Sequence, residues 1–241
     1  MSQQVIDNSN QAPTPQAVAV KEIGRMTAVG LLVGALIFIP AGRIDWLMGW
    51  VFFGLWLAPK LAYVFLLLWH DPDLLTERAT RHEDTKQWDK VIIPIYLVFG
   101  LATFLIASFD GGRFGWSGEV PVAVIAAAVV LYLLSNLLSG WVIVANRYAS
   151  SESRIQSERG QQVIASGPYR FVRHPMYLVS LVIWPITPLI LESWWGMIPG
   201  AITALIMVIR TAYEDRMLHE ELPGYAEYAQ QTRYKLIPGI W

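Results

Sequence analysis

The chain has 241 residues, 54% of them hydrophobic and only 15% charged, where ordinary soluble domains carry roughly 25% charged residues, so the apolar excess must face lipid. A formal net charge of −1 gives no general pull toward nucleic acid or an acidic partner. The absence of cysteine excludes disulfides, thiolate metal sites and a cysteine nucleophile.

In chain order, residues 1–22 are polar and rich in Gln, Asn and Pro, which predicts a disordered tail and no signal peptide. Apolar runs follow at 26–41, 46–69, 91–109, 120–144, 176–191 and 194–209, several of them close to the roughly 20 residues that cross a hydrocarbon core. The expected fold is all-α and polytopic, with about six transmembrane helices. Four lie in an N-terminal unit (23–145), and the last two form a short hairpin that Pro185 and Pro188 should bend. Many of the 11 Trp and 10 Tyr stand near the ends of these runs, where amphipathic rings favour the headgroup zone. With both termini on one side, Arg43 and Arg113 fall alone on the other, Lys60 falls inside a span, and every other Lys and Arg is on the terminal side. That asymmetry predicts cytoplasmic termini, as in a bacterial inner membrane or its equivalent. The C-terminal unit (146–241) ends in an amphipathic tail broken at Pro223-Gly224, read as a helix pair lying over the hairpin.

Two polar clusters carry the candidate chemistry. The first is Ser166-Gly167-Pro168-Tyr169-Arg170-Phe171-Val172-Arg173-His174-Pro175-Met176-Tyr177, a turn, an aromatic and basic residues leading into a span whose Pro suits a first helical position. The free N–H groups and positive dipole of such a helix start favour an anionic ligand group. The second is Arg210-Thr211-Ala212-Tyr213-Glu214-Asp215, in which Arg210 and Glu214 share a helical face at i and i+4. As a plain ion pair this would contribute only about 0.3–0.5 kcal/mol. At the end of a span it also places a carboxylate suited to ribose hydroxyls beside a guanidinium suited to a carboxylate. Lys60 is a functional candidate simply as an intramembrane charge, although snorkelling would equally account for it. His70, His82, His174 and His219 show no metal-ligand spacing, so no metal is expected. No dinucleotide fingerprint, P-loop or nucleophile elbow is present.

From about Asn146 to Trp241 the sequence resembles the integral membrane methyltransferases that include isoprenylcysteine carboxyl methyltransferase and the phospholipid N-methyltransferases. The resemblance rests on Gly-Pro-Tyr at 167–169, Arg-His-Pro-Met-Tyr at 173–177, Arg210-xxx-Glu214-Asp215-xx-Leu218, and Gly224-Tyr225-xx-Tyr228 through Ile237-Pro238. It implies S-adenosylmethionine as cofactor, held by Gln156, Gln161, Gln162, Val163, Ile164, Tyr169, His174, Pro175, Met176, Tyr177 and Glu214. Arg210 and Glu214 would be the catalytic pair, with Arg210 binding the substrate carboxylate. The implied acceptor is a lipid or lipidated substrate from the bilayer, first an isoprenylcysteine-like carboxylate and alternatively a phospholipid amine. Leu178-Val179 stands where a Gly often follows the tyrosine, and Asp215 replaces a second Glu. Membrane sterol and isoprenoid reductases, which use NADPH, resemble part of the same pattern, but with Asn where Met176 stands and an acidic residue where Leu178-Val179-Ser180 lie. A scaffold that kept the fold and lost the chemistry is the non-enzymatic alternative. The sequence is silent on oligomeric state.

Overall fold

The computed structural model describes residues 15–79 and 82–241. Its helices are α1 (Pro15–Ala41), α2 (Leu47–His70), α3 (Pro72–Ala79), α4 (Gln87–Phe109), α5 (Val122–Ala145), α6 (Pro175–Ile190), α7 (Met197–Glu221) and α8 (Tyr225–Gln231). A π-helical turn, Asp110–Phe114, extends α4, and no strand occurs among the described residues. Helices α1, α2, α4, α5 and α7 supply five segments long and apolar enough to cross a membrane, and α6, at 16 residues, is a shorter apolar helix. Leu31, Phe65 and Val122 are 71%, 73% and 81% exposed, which only an apolar solvent makes favourable over so many side chains.

Two expectations are corrected. The helix begins at Pro15, so residues 15–22 are not a disordered tail; residues 1–14, and Arg81 of the basic set, lie outside the described residues. The last two apolar helices are not equal arms, because α7 runs 25 residues from the apolar 197–209 into the polar 210–221 without a break. Its second half lacks Gly and Pro, so nothing stops it before Leu222. Helix α6 runs through Pro185 and Pro188.

Helix α6 is gripped from both sides. A Cβ on Gly200 of α7 would stand 2.5 Å from the Trp184 carbonyl oxygen, and one on Gly100 of α4 would stand 2.8 Å from the Trp184 ring. Only glycine permits so close an approach. Trp184 Nε1 also donates to Tyr96 Oη at 2.9 Å. At one end of the bundle the connections are sewn together by buried polar groups. Asp110 accepts from the Ser117 backbone N at 2.7 Å, from Ser193 Oγ at 2.6 Å and from Ser117 Oγ, while Trp46 Nε1 donates to Glu192 at 2.8 Å. At the opposite end gather α3, the start of α4, the long connection 146–174 and the polar half of α7. Arg154 ties that connection down through Glu77 at 2.8 Å, Asp84 at 3.0 Å and Glu158 at 2.6 Å.

Gly200→Ala is expected to lower the melting temperature in detergent, at a cost of about 1–3 kcal/mol from overpacking. Gly140→Ala, where a Cβ meets nothing within 4 Å, should leave the melting temperature equal or raise it. Indistinguishable melts for the two variants would contradict the α6–α7 contact.

Candidate functional site

The end rich in polar loops encloses one cavity, about 870 Å³ including its mouth, between the connection 146–174, the start of α6, the polar half of α7 and α8. Its shape begins with local turns. Gly167 has φ +59°, and a Cβ there would stand 3.0 Å from Ala145 Cβ. The Gly-Pro-Tyr turn can therefore lie against the end of α5 only because residue 167 is glycine. The turn forms a short 3-10 helix, Gly167–Arg170, that presents Tyr169 inward. Tyr169 Oη accepts from Asn146 Nδ2 at 2.7 Å, and its carbonyl accepts from Tyr228 Oη at 2.7 Å, so one residue links α5, the turn and α8. Burial pushes the Tyr169 phenol up to about 12, which keeps it neutral at physiological pH.

Gln156 fixes the wall opposite. Its side chain donates to the Tyr148 carbonyl at 2.8 Å and accepts from Arg159 at 2.6 Å, and its backbone N donates to Gln161 Oε1 at 2.7 Å. The amides at 156 and 161 thus shape the loop as well as line the cavity.

The start of α6 is held by the C-terminal tail. The backbone N–H groups of Arg173 and His174 donate to the carbonyls of Tyr234 and Lys235, both at 2.9 Å. Asp215 accepts from Arg173 Nε at 2.8 Å and Nη2 at 3.1 Å and from Tyr225 Oη at 3.0 Å, with His174 Nε2 at 3.1 Å. Burial alone would lower the Arg173 guanidinium, but its bonds to Asp215 outweigh that and raise it above its usual value. Burial, and the Asp215 charge beside it, likewise push the Tyr225 phenol up. Arg173 is therefore an internal clamp.

Glu214 faces the cavity, accepting from Ser153 Oγ at 2.6 Å and from Tyr177 Oη. His174 Nδ1 stands 3.9 Å from its other oxygen, and the His174 and Tyr177 rings stack at 5.7 Å.

The eleven predicted cofactor contacts, Gln156, Gln161, Gln162, Val163, Ile164, Tyr169, His174, Pro175, Met176, Tyr177 and Glu214, all line this cavity. Arg210 does not. Its partner is not Glu214 but Asp89, in the first turn of α4, through Nε–Oδ1 at 2.7 Å and Nη2–Oδ2 at 2.9 Å. It also donates to the Ser151 carbonyl at 3.0 Å and Ser153 Oγ at 3.3 Å, and its guanidinium lies 5.2 Å from the Tyr177 ring centre. The i, i+4 spacing predicted an intrahelical pair, but the buried face of α7 meets a carboxylate that is itself 0% exposed, and a bidentate fork is the stronger bond. Asp89 escaped sequence reading; an acidic residue in the first turn of an apolar helix was the available signal. Ser153 and Arg78, both on the cavity wall, carried no signal of their own.

Residues 123–223 match the phospholipid methyltransferase family model. This is the group of integral membrane methyltransferases that the motifs resemble, and the matched segment spans α5, the connection, the α6–α7 hairpin and Glu214. On a chain with five helices of membrane-spanning length, the match supports an integral membrane methyltransferase. No curated protein matches the chain.

Asp89→Ala is expected to cost roughly 3–5 kcal/mol by leaving the Arg210 charge buried alone. Adding Arg210→Met should recover much of that loss in an unfolding assay. A double variant as unstable as the sum of the two singles would mean the groups do not act as a pair.

Proposed function

We propose that the cavity binds S-adenosylmethionine and that the chain moves its methyl group to a lipid-borne acceptor reaching the site from the bilayer. The observation that carries this reading is that eleven residues scattered from 156 to 214 line a single cavity where the apolar helices end. The lining suits the three parts of that cofactor. Val163, Ile164, Leu218, Leu222 and the tyrosine rings offer apolar and aromatic surface for a flat base. Gln161 and Gln162 offer amides. Glu214 offers a carboxylate for ribose hydroxyls or the amino-acid ammonium.

When bound, the cofactor supplies an electrophilic methyl group on a sulfonium, open to in-line displacement. The residues then have distinct tasks. Tyr177 and Ser153 fix the Glu214 carboxylate by donating to it. Arg210, bonded to Ser153 and beneath the Tyr177 ring, is a positioning residue that acts through both. Orienting two reactants in this way contributes up to roughly 7–11 kcal/mol in favourable cases.

A carboxylate acceptor of the isoprenylcysteine type is already anionic and needs no base. Arg78 on the cavity wall, rather than Arg210, is then the guanidinium placed to face it. An amine acceptor is the second reading, favoured by Glu214, a cavity carboxylate able to take a proton. We place the cavity on the cytoplasmic side, following the basic residues.

Purified protein titrated with S-adenosylhomocysteine should bind it and should not bind reduced dinucleotide; the reverse would overturn the reading in favour of a reductase. Glu214→Gln should weaken that binding about tenfold, as expected for losing one charge-assisted hydrogen bond. Arg210→Ala should lower turnover more than it lowers cofactor affinity. Membranes incubated with methyl-labelled cofactor separate the acceptors. Alkali should release label from a carboxyl ester and leave an N-methyl group in place.

A further inference from the structure

Two cations lie outside the matched segment, Lys60 away from the cofactor cavity and Arg78 on its wall. Lys60 stands in α2, ten residues before its end, with its Nζ 4.6 Å from the Trp56 ring. Arg78 stands in α3, which folds back so that Leu74 and Leu75, each 1% exposed, pack on Val64 and Leu67 of α2. This return brings the Arg78 guanidinium 5.7 Å from the Tyr63 ring, where it donates to the Ala149 carbonyl at 2.6 Å. Among the described residues neither Lys60 nor Arg78 has a carboxylate within ion-pair distance. The Tyr63 hydroxyl beside them is shut off from solvent and makes no hydrogen bond of ordinary geometry. Arg25 lines the same recess, but Glu22 neutralises it at 2.9 Å. Lys60, inside a span, is an intramembrane cation without an anionic partner, which is costly, and with the Arg78 guanidinium at the same recess the site has room for an anion from outside.

A groove leads from these residues to the lipid. It runs between α2 and α5, has a volume of about 1920 Å³ counting its open side, and includes Lys60, Tyr63 and Arg78 at its polar end. Gly54 of α2 and Gly140 of α5 line it, and a Cβ added to either would meet nothing within 4 Å. No close packing explains these two helical glycines, which are less favourable than alanine in a helix; a widened groove does. The groove and the cofactor cavity share a wall. Arg78 lines both, and Ser139 in the groove donates to Met176 Sδ in the cavity at 3.5 Å.

We propose that Lys60 and Arg78 hold the anionic headgroup of the acceptor lipid, with its chain in the α2–α5 groove, so that these two cations select acceptors by headgroup charge. As a statement about the acceptor, this rests on the methyltransferase reading; as a statement about lipid binding, it stands alone. The two oxygen acids that fit, carboxylate and phosphate, share the chemistry of a guanidinium fork and an ammonium.

The test is native mass spectrometry of the full-length protein in detergent with farnesylcysteine, phosphatidic acid and phosphatidylcholine as probes, run beside S-adenosylhomocysteine titration. Wild type should retain one or both anionic probes in preference to phosphatidylcholine, and the better-held probe identifies the acid. Lys60→Met and Arg78→Gln should each reduce that preference roughly fivefold, and Arg78→Lys should restore part of it. Lys60→Met should leave S-adenosylhomocysteine binding unchanged. Gly140→Phe should lower retention of all three probes by filling the groove. Equal retention of anionic and zwitterionic probes by wild type, or a preference that survives both substitutions, overturns the proposal. Failure of wild type to bind S-adenosylhomocysteine while the charge preference holds removes the cofactor reading and leaves the headgroup site intact.

Discussion

The bond between Asp89 and Arg210 is the constraint on which the polar end of the bundle depends. Neither side chain tolerates burial alone, and their bidentate geometry fixes the start of α4 against the middle of α7. Everything near the cavity is referenced to that contact. Asp89 also accepts from the Ser153 backbone N at 2.8 Å, which pins the long connection to the same point. Ser153 then passes the constraint to Glu214 through its hydroxyl. A single buried pair thus sets the relative positions of two apolar helices, one loop and the carboxylate that faces the cavity.

A second, independent lock closes the other side. Asp215 gathers Arg173 and His174, from the end of the connection just before α6, and Tyr225, the first residue of α8. Glu214 and Asp215 are adjacent in sequence but face opposite tasks, since consecutive residues on a helix point about 100° apart. One presents its charge to the cavity and the other is consumed inside the protein. The departure at 215 from a paired glutamate is therefore a change in the clamp, with Glu214 left facing the cavity.

Much of the fold was legible because lipid imposes a simple rule: apolar runs near 20 residues must be helices. The runs ending at Ala41, near His70, at Phe109 and near Ala145 are found as helices, and the break at Pro223-Gly224 separates α7 from α8. What escaped prediction was pairing between distant segments. Helical spacing sees only i+3 and i+4 neighbours, so it offered Glu214 to Arg210 and was blind to Asp89, 121 positions away. The tail up to residue 22 was misjudged from residue 15 onward because composition says nothing about a helix extended from an apolar neighbour. The residues that line the cavity were legible through motif resemblance. Their convergence depends on Gly167, Asn146 and Tyr228, whose roles are tertiary.

The roof of the cavity has a consequence for how the protein is made. Tyr225, Tyr228 and the carbonyls of residues 234–235 hold the start of α6 and the Gly-Pro-Tyr turn, yet all of them follow the last apolar helix in the chain. During synthesis the five spanning helices and α6 can be inserted into the bilayer while the cavity still lacks a side. A nascent chain with those helices in place is therefore a bundle with an open trough, which closes only when residues 225–241 have been made and fold back.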